Sequence, residues 1–168
     1  RSVSAFLLNR SSDLVSLLYL GRHRARIAFL VVKAFRMTQQ TVALPDDPAL
    51  AQVLSALSAE GAQALIVGGA VRNALLGEPI SDIDIATSAR PDETVRLARA
   101  AGLRTVPTGI EHGTVTIIAG GRGYEATSFR RDVETDGRHA VVAYSDSLEE
   151  DARRRDFTMN ALYASLDG

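Results

Sequence analysis

The sequence predicts an α/β protein of mixed α+β type: one mixed sheet of about five strands flanked by helices. Three observations predict it. Short apolar runs end at glycines, apolar residues recur at helical spacing between those runs, and the two patterns alternate along the chain. The 168 residues, with 46% hydrophobic and 23% charged side chains, leave room for one domain and an appendage and exclude a disordered or fibrous chain.

The elements follow from local chemistry. Asp46 or Asp47 can cap a helix with Pro48 in its first turn, and Leu50, Val53, Leu54 and Leu57 recur at helical spacing until Gly61. Ala64 to Val67 is a short apolar run entering the turn Gly68-Gly69, which predicts a buried strand. Residues 70–76 predict a short helix closed by Gly77, 83–87 a strand, and 91–101 a helix with Pro91 at its start and Gly102 beyond its end. Strands are expected at 104–107, 114–118 and 124–129, the last two joined as a hairpin through Gly120, Gly121 and Gly123. Residues 130–146 are polar and centred on Asp136-Gly137, predicting a mobile loop or a distorted hairpin. Ser147 to Glu150 matches a capping box opening a helix toward Arg155.

Charge divides the chain. Residues 1–36 hold six arginines and Lys33 against Asp13 alone, whereas residues 37–168 hold twelve arginines against nineteen acids. The first stretch precedes Met37 and is expected to lie outside the fold, as an upstream extension, an organellar targeting peptide or a membrane-surface helix. Its apolar patches, Leu14 to Leu20 and Ile27 to Val32, fall short of the ~20 residues that span a bilayer. Residues 37–168 form the expected domain. Its acidic balance makes it a poor non-specific binder of nucleic acid, so RNA would need local basic patches, metal ions or a further domain. The absence of cysteine excludes disulfides, thiolate metal sites and thiol nucleophiles. The three histidines are scattered, so a metal would be held by oxygen.

The chemistry concentrates at Asp82 and Asp84. Side chains two apart on a strand share a face, so the carboxylates converge while Ile83 and Ile85 turn to the core. Two acids at that spacing repel unless a cation lies between them, and paired Mg2+ ions ~3.5–4 Å apart are the common device for in-line attack on a phosphate. A solvated strand face is the plainer alternative. Upstream, the strand ending in Gly68 and Gly69 feeds a helix, exposing backbone N–H groups and a positive helix end, with Arg72 in the first turn. A tight turn with a surface arginine is the alternative there. The segment is neither a Walker loop nor a full Gly-x-Gly-x-x-Gly pattern. Near the C-terminus, Glu149, Glu150 and Asp151 stand four residues before Arg153, Arg154 and Arg155, as on a salt-bridged helix face.

The string from Val67 to Thr87 resembles the signature of class II tRNA nucleotidyltransferases, the CCA-adding enzymes, and of their relatives the bacterial poly(A) polymerases. Arg154 to Ala161 resembles the second signature of the same head domain, Arg-Arg-Asp-x-Thr-x-Asn-Ala. The resemblance covers about residues 45–168, including Gly113 to Thr116 and Glu125 to Arg130. It implies a nucleotidyltransferase-superfamily head domain with a mainly antiparallel mixed sheet, with Asp82 and Asp84 as catalytic, metal-binding carboxylates and Glu125 as a third catalytic acid. Gly68, Gly69 and Arg72 would hold the triphosphate, and Arg155, Asp156 and Asn160 the sugar and phosphates of the incoming nucleotide. Asn73 stands where the family carries an aspartate, which keeps an acceptor but removes a charge beside Arg72.

The implied activity is template-independent transfer of CMP or AMP from CTP or ATP to the 3′ end of tRNA, with Mg2+ as cofactor, no covalent intermediate and no membrane partner. The expected compartment is the bacterial cytoplasm, with an organelle second. Poly(A) synthesis on RNA 3′ ends and a non-catalytic nucleotide-binding module are the competing readings. In the family, base choice belongs to a neck domain beyond the head, so a piece ending at Gly168 is expected to bind Mg-nucleotides weakly and without choosing the base. His112 reads as a structural residue beside Gly113, and His139 as part of the 130–146 loop, which in the family helps position the primer.

Overall fold

The computed structural model describes residues 2–7, 38–131, 143–155 and 158–165. In chain order the elements are β1 (Ser2–Leu7), β2 (Thr38–Ala43), α1 (Pro48–Leu57), β3 (Ala64–Val67), α2 (Gly69–Leu76) and β4 (Asp84–Thr87). They continue with α3 (Pro91–Ala100), β5 (Arg104–Gly109), β6 (Thr114–Ala119), β7 (Arg122–Ser128), β8 (Arg130–Arg131), β9 (Ala143–Tyr144), α4 (Leu148–Arg153) and β10 (Leu162–Ser165). Single 3-10 turns occupy Ala59–Gly61, Ile110–His112 and Thr158–Asn160.

The main sheet has eight strands in the order β2-β1-β10-β3-β4-β7-β6-β5, and β8 pairs with β9 apart from it. Every neighbouring pair in the main sheet is antiparallel except β4 with β7, which is parallel. The five expected strands form one contiguous block, and β10, β1 and β2 extend it. The sheet is thus wider than the five strands read from the sequence, and Ser2–Leu7, from the stretch expected to lie outside the fold, sits between β2 and β10. Residues 8–37, which hold every basic residue of that stretch except Arg1, lie outside the described residues.

Pleating divides the core. On one face Ala64, Ile66, Ile85, Ile117, Tyr124, Ala126 and Leu162 pack with Leu50, Val53, Leu54 and Leu57 of α1, Val71 of α2 and Leu97 of α3. On the other, Leu65, Val67, Ala86, Phe129, Ala152, Ala161 and Tyr163 form a smaller cluster. Consecutive residues of β3 alternate between the two, so a strand expected from one apolar run is buried on both sides. No helix among the described residues is long and apolar enough to cross a membrane.

Caps fix the helix starts. Asp47 caps α1, accepting from the amides of Ala49 and Leu50 at 3.0 and 3.1 Å. Its other oxygen accepts from the Tyr124 hydroxyl at 2.9 Å and from Arg122 at 3.2 Å. Burial works against this carboxylate, but the Leu50 amide, the Tyr124 hydroxyl, the Ala49 amide and Arg122 together hold its pKa below the ordinary value. The cap therefore ties α1 to the β6–β7 hairpin, whose turn residues Gly120 and Gly121 both have positive φ, 56° and 76°. The capping box at α4 forms only in part. Ser147 accepts from the Glu150 amide at 3.4 Å, but the Glu150 carboxylate turns to the Ser145 hydroxyl.

Asp47→Ala removes a helix cap and leaves the Tyr124 hydroxyl without its acceptor. A loss of about 2 kcal/mol is expected in urea unfolding monitored by circular dichroism, and a change below ~0.5 kcal/mol would show the cap to be dispensable.

Candidate active site

Asp84 opens β4 and is exposed, Ile85 after it is fully buried, and Asp82 and Ile83 repeat the same alternation just before the strand. Both isoleucines belong to the helix-covered core, so the two aspartates face the opposite side. Register then decides their company. Tyr163 pairs with Val67, Val67 with Asp84, Asp84 with Glu125, and Glu125 with Thr116. One transverse row thus crosses β10, β3, β4, β7 and β6, apolar at one end and acidic then hydroxylic at the other. Beyond it, the Thr116 and Thr108 hydroxyls bond at 2.6 Å.

Val67 is the last residue of β3, so the hinge into α2 begins one residue from this row. Gly68 has φ 73° and ψ −125°, a conformation that L side chains rarely adopt. Its N–H donates to the Leu162 carbonyl at 2.9 Å, and its carbonyl accepts from the Arg72 amide at 3.0 Å. Gly68 is therefore a hinge whose own donor is spent on β10. The amides of Gly69, Ala70 and Val71 are left at the start of α2 without intrahelical acceptors. Arg72 folds back along the same turn, with one of its nitrogens 3.6 Å from where a Cβ on Gly69 would stand. Its guanidinium donates twice to Asn73 Oδ1, at 3.2 and 3.1 Å, and the Asn73 amide donates to the Pro79 carbonyl at 2.8 Å. The asparagine thus serves as a neutral acceptor for Arg72. The Asn160 carbonyl lies 3.8 Å from where a Cβ on Gly68 would stand, which brings the second motif against the hinge.

Two of the three expected ion pairs at the end of α4 form, Glu149 with Arg153 and Asp151 with Arg155. Arg154 pairs with Asp151 rather than with Glu150, whose carboxylate is held by Ser145. Asp151 is fully buried. Its Oδ1 accepts from Arg154 Nε at 2.9 Å and from the Arg130 amide at 3.1 Å; its Oδ2 accepts from Arg155 Nη2 at 3.0 Å and the Tyr163 hydroxyl at 2.7 Å. Burial opposes charge on Asp151, yet Arg155 and Arg154 hold its pKa below the ordinary value. Arg155 Nε also donates to the Tyr163 hydroxyl at 3.0 Å, and its guanidinium lies 5.5 Å from that ring's centroid. Burial raises the Tyr163 hydroxyl far above a free phenol, although Arg155 pulls it back. A third guanidinium, Arg130, joins the group. Burial and the charge of Arg154 depress its pKa, and its buried Nε has no acceptor among the described residues.

Asp84 senses both halves of the site. Burial raises its pKa first, Arg155 opposes that rise, and Asp82 adds to it. Asp82 Oδ2 accepts from the Ser81 hydroxyl at 3.0 Å. The structure therefore brings Gly68, Gly69, Arg72, Asp84, Glu125, Arg155 and Asn160 to one region, with Asp82 beside Asp84. Among the described residues there is no grouping of three or more potential metal ligands, so Glu125 is level with Asp84 without completing a three-acid cage. Two hard carboxylates on one face still suit a divalent ion that takes its remaining ligands from water and phosphate.

Asp156, the remaining expected nucleotide ligand, lies outside the described residues, as do His139 and most of the 130–146 loop. The base of that loop is a hairpin, Arg130–Arg131 against Ala143–Tyr144. His112 is exposed beside Glu111. Tyr163 and the hub role of Asp151 were not anticipated. Asp151 had a signal in its four-residue spacing from Arg155; Tyr163 had none, because its role depends on β10 pairing with β3.

An acid pair at the start of a strand, level with a glycine hinge and a helix start and flanked by arginines, is the arrangement of a nucleotidyltransferase head. The poly A polymerase head domain family model matches residues 64–168, and the chain belongs to that family. It is 49% identical over 128 residues to the CCA-adding enzyme of Levilactobacillus brevis, covering 74% of this chain and 31% of that protein. To the CCA-adding enzyme of Streptococcus sanguinis it is 50% identical over 118 residues, covering 69% and 29%. Among solved structures, the Bacillus stearothermophilus CCA-adding enzyme in complex with CTP matches with a TM-score of 0.58 and 42% identity, covering 70% of this chain and 28% of that one. A tRNA-processing enzyme in an apo form matches with a TM-score of 0.53 and 31% identity, covering 73% and 30%. The chain thus spans about a third of the length of the curated relatives it matches.

The titrating groups set two limits on stability. Asp151 and Asp47 have folded pKa values below their unfolded ones, so their contribution is complete above pH ~5 and falls away as the solution is acidified below pH ~4. Tyr163 is raised, so its contribution is complete below pH ~10 and is lost as pH climbs beyond that. Urea midpoints between pH 3 and 11 should trace both limbs. A profile that stays flat below pH 4 would contradict the buried, charged Asp151.

Proposed function

We propose that residues 37–168 form the head of a template-independent RNA nucleotidyltransferase that adds CMP and AMP, from CTP and ATP, to the 3′ end of tRNA. The observation that carries this reading is the register of β4, which sets Asp84 level with Glu125 on one side and with the residue before the Gly68 hinge on the other. The high identity to CCA-adding enzymes, one of them solved with CTP, supports the same substrates. Bacterial relatives support the cytoplasm as the compartment.

In this reading the triphosphate lies against the start of α2, where the amides of Gly69, Ala70 and Val71 lack intrahelical acceptors and Arg72 is folded over the turn. Arg155 and Asn160 contact the nucleotide's sugar and phosphates, with Asp156 beside them in sequence. Asp82 and Asp84 would hold Mg2+, and the bound ion would supply Lewis-acid activation of the RNA 3′-hydroxyl and charge neutralisation at the phosphates. Glu125 adds a third negative charge on the same face. The surplus of guanidinium over carboxylate at Arg130, Arg154 and Arg155 favours the polyphosphate, and the orphaned Nε of Arg130 is a donor in want of an acceptor. In-line displacement brings the attacking oxygen from the side away from the leaving pyrophosphate. With the triphosphate at the hinge, that side lies over Glu125, Thr116 and Thr108.

Poly(A) synthesis is the second reading, favoured by the family model's own description. Sequencing the products made from CTP and ATP on tRNA lacking its terminal CCA by a protein that contains this head separates the two. The site itself is tested by calorimetry. Mg-CTP binding is expected to weaken at least tenfold in Asp84→Ala and again in the double variant with Asp82→Ala, and unchanged binding in the double variant would remove the acid pair from the mechanism.

A further inference from the structure

Arg155 follows a helix of only six residues, which ends before it. A helix that short cannot fix a long side chain beyond its C-terminus, so something else must. The partners of Arg155 are two groups anchored elsewhere. Tyr163 sits in β10, fully buried, in the same transverse row as Val67 and Asp84. Asp151 is buried beneath both. The three side chains close a triangle: Tyr163 donates to Asp151 Oδ2 at 2.7 Å, and Arg155 Nε reaches both Tyr163 at 3.0 Å and Asp151 Oδ2 at 3.2 Å. Arg155 Nη2 adds a bond to Asp151 at 3.0 Å. A guanidinium carries five N–H donors. The clamp occupies two of them, one shared between two acceptors, and leaves three for another acceptor.

Asp151 itself is in no position to touch a nucleotide. It is shielded by Arg154, Arg155, Tyr163 and the Arg130 amide, and as a carboxylate it would repel phosphate. We propose that Asp151 is a positioning residue which, together with Tyr163, locks Arg155 to the central sheet so that its remaining donors face the nucleotide phosphates. The inference rests on the nucleotide-binding reading above. It also explains why a buried carboxylate is kept where an apolar residue would pack more cheaply: the transverse row that holds Asp84 also holds Tyr163, which sets the arginine.

A double-mutant cycle on the full chain decides it, read as the dissociation constant of Mg-CTP by calorimetry. Asp151→Asn is expected to weaken binding about tenfold beside Arg155 and to change it less than twofold in the Arg155→Ala background, because the residue acts through Arg155. Tyr163→Phe, which keeps the carboxylate, should fall between Asp151→Asn and the parent chain. A second readout needs no nucleotide. Phenylglyoxal labelling of Arg155, followed by mass spectrometry, should run severalfold faster in Asp151→Asn and measurably faster in Tyr163→Phe. Equal losses in both Arg155 backgrounds, or unchanged labelling in Tyr163→Phe, would make Asp151 merely structural and overturn the proposal. If the parent chain itself fails to bind Mg-CTP, the nucleotide reading falls and takes this inference with it. If the parent binds and the Asp151→Asn chain binds equally well, the inference alone falls.

Discussion

The register of β4 is the constraint on which the rest depends. This strand runs antiparallel to β3 and parallel to β7, so its first residue stands level with the last residue of one neighbour and with Glu125 of the other. A slip of one residue would exchange the faces of the strand. Asp84 would then enter the helix-covered core where Ile85 is fully buried, an unpaired charge in an apolar environment. The apolar residues that flank the acids therefore do chemical work indirectly. Ile83 and Ile85 are what keep both carboxylates on the face against which α4 packs, opposite the helix-covered core.

That face sorts one residue type into two fates. Asp151 is buried and saturated by two guanidiniums, an amide and a phenol, which leaves it no capacity for a ligand. Asp84 keeps a solvent-exposed side chain, is raised in pKa by partial desolvation and by Asp82, and draws on Arg155 only across space. The difference is one of solvation and partners. A carboxylate that is fully paired contributes structure, whereas one left under-neutralised retains affinity for a cation.

Much of this was legible in the sequence, for identifiable reasons. The Asp82–Asp84 alternation, the Gly68-Gly69 hinge, an aspartate cap at 46 or 47, the helices after Pro48 and Pro91 and the Gly120–Gly121 hairpin all rest on interactions within a few residues, and those the chain states directly. What escaped depended on distant pairing. β10 is four residues long, and its partner β3 lies almost a hundred positions earlier, so Tyr163 carried no local mark of its role. The Ser2–Leu7 strand likewise pairs with β10 across nearly the whole chain. Arg154 bonds Asp151 while Glu150 accepts from Ser145, an exchange of partners that spacing alone does not encode.

The charge of the chain poses an apparent conflict with the proposed polyphosphate substrate, since residues 37–168 carry twelve arginines against nineteen acids. Distance resolves it. In physiological salt, exposed charges farther apart than about 8 Å are largely screened, so the sum over the body matters less than the arrangement within one site. There Arg130, Arg154 and Arg155 gather about a single buried carboxylate, and Arg72 stands at the helix start, its guanidinium bonded to the neutral Asn73. Acids outnumber bases over the whole domain, yet on the hinge side of the row the order is reversed, and Asp82, Asp84 and Glu125 supply the opposite sign next to it. A divalent cation between phosphate and carboxylate would suit that boundary better than either patch alone. Local juxtaposition of opposite fields, rather than net charge, is the electrostatic property that this fold builds.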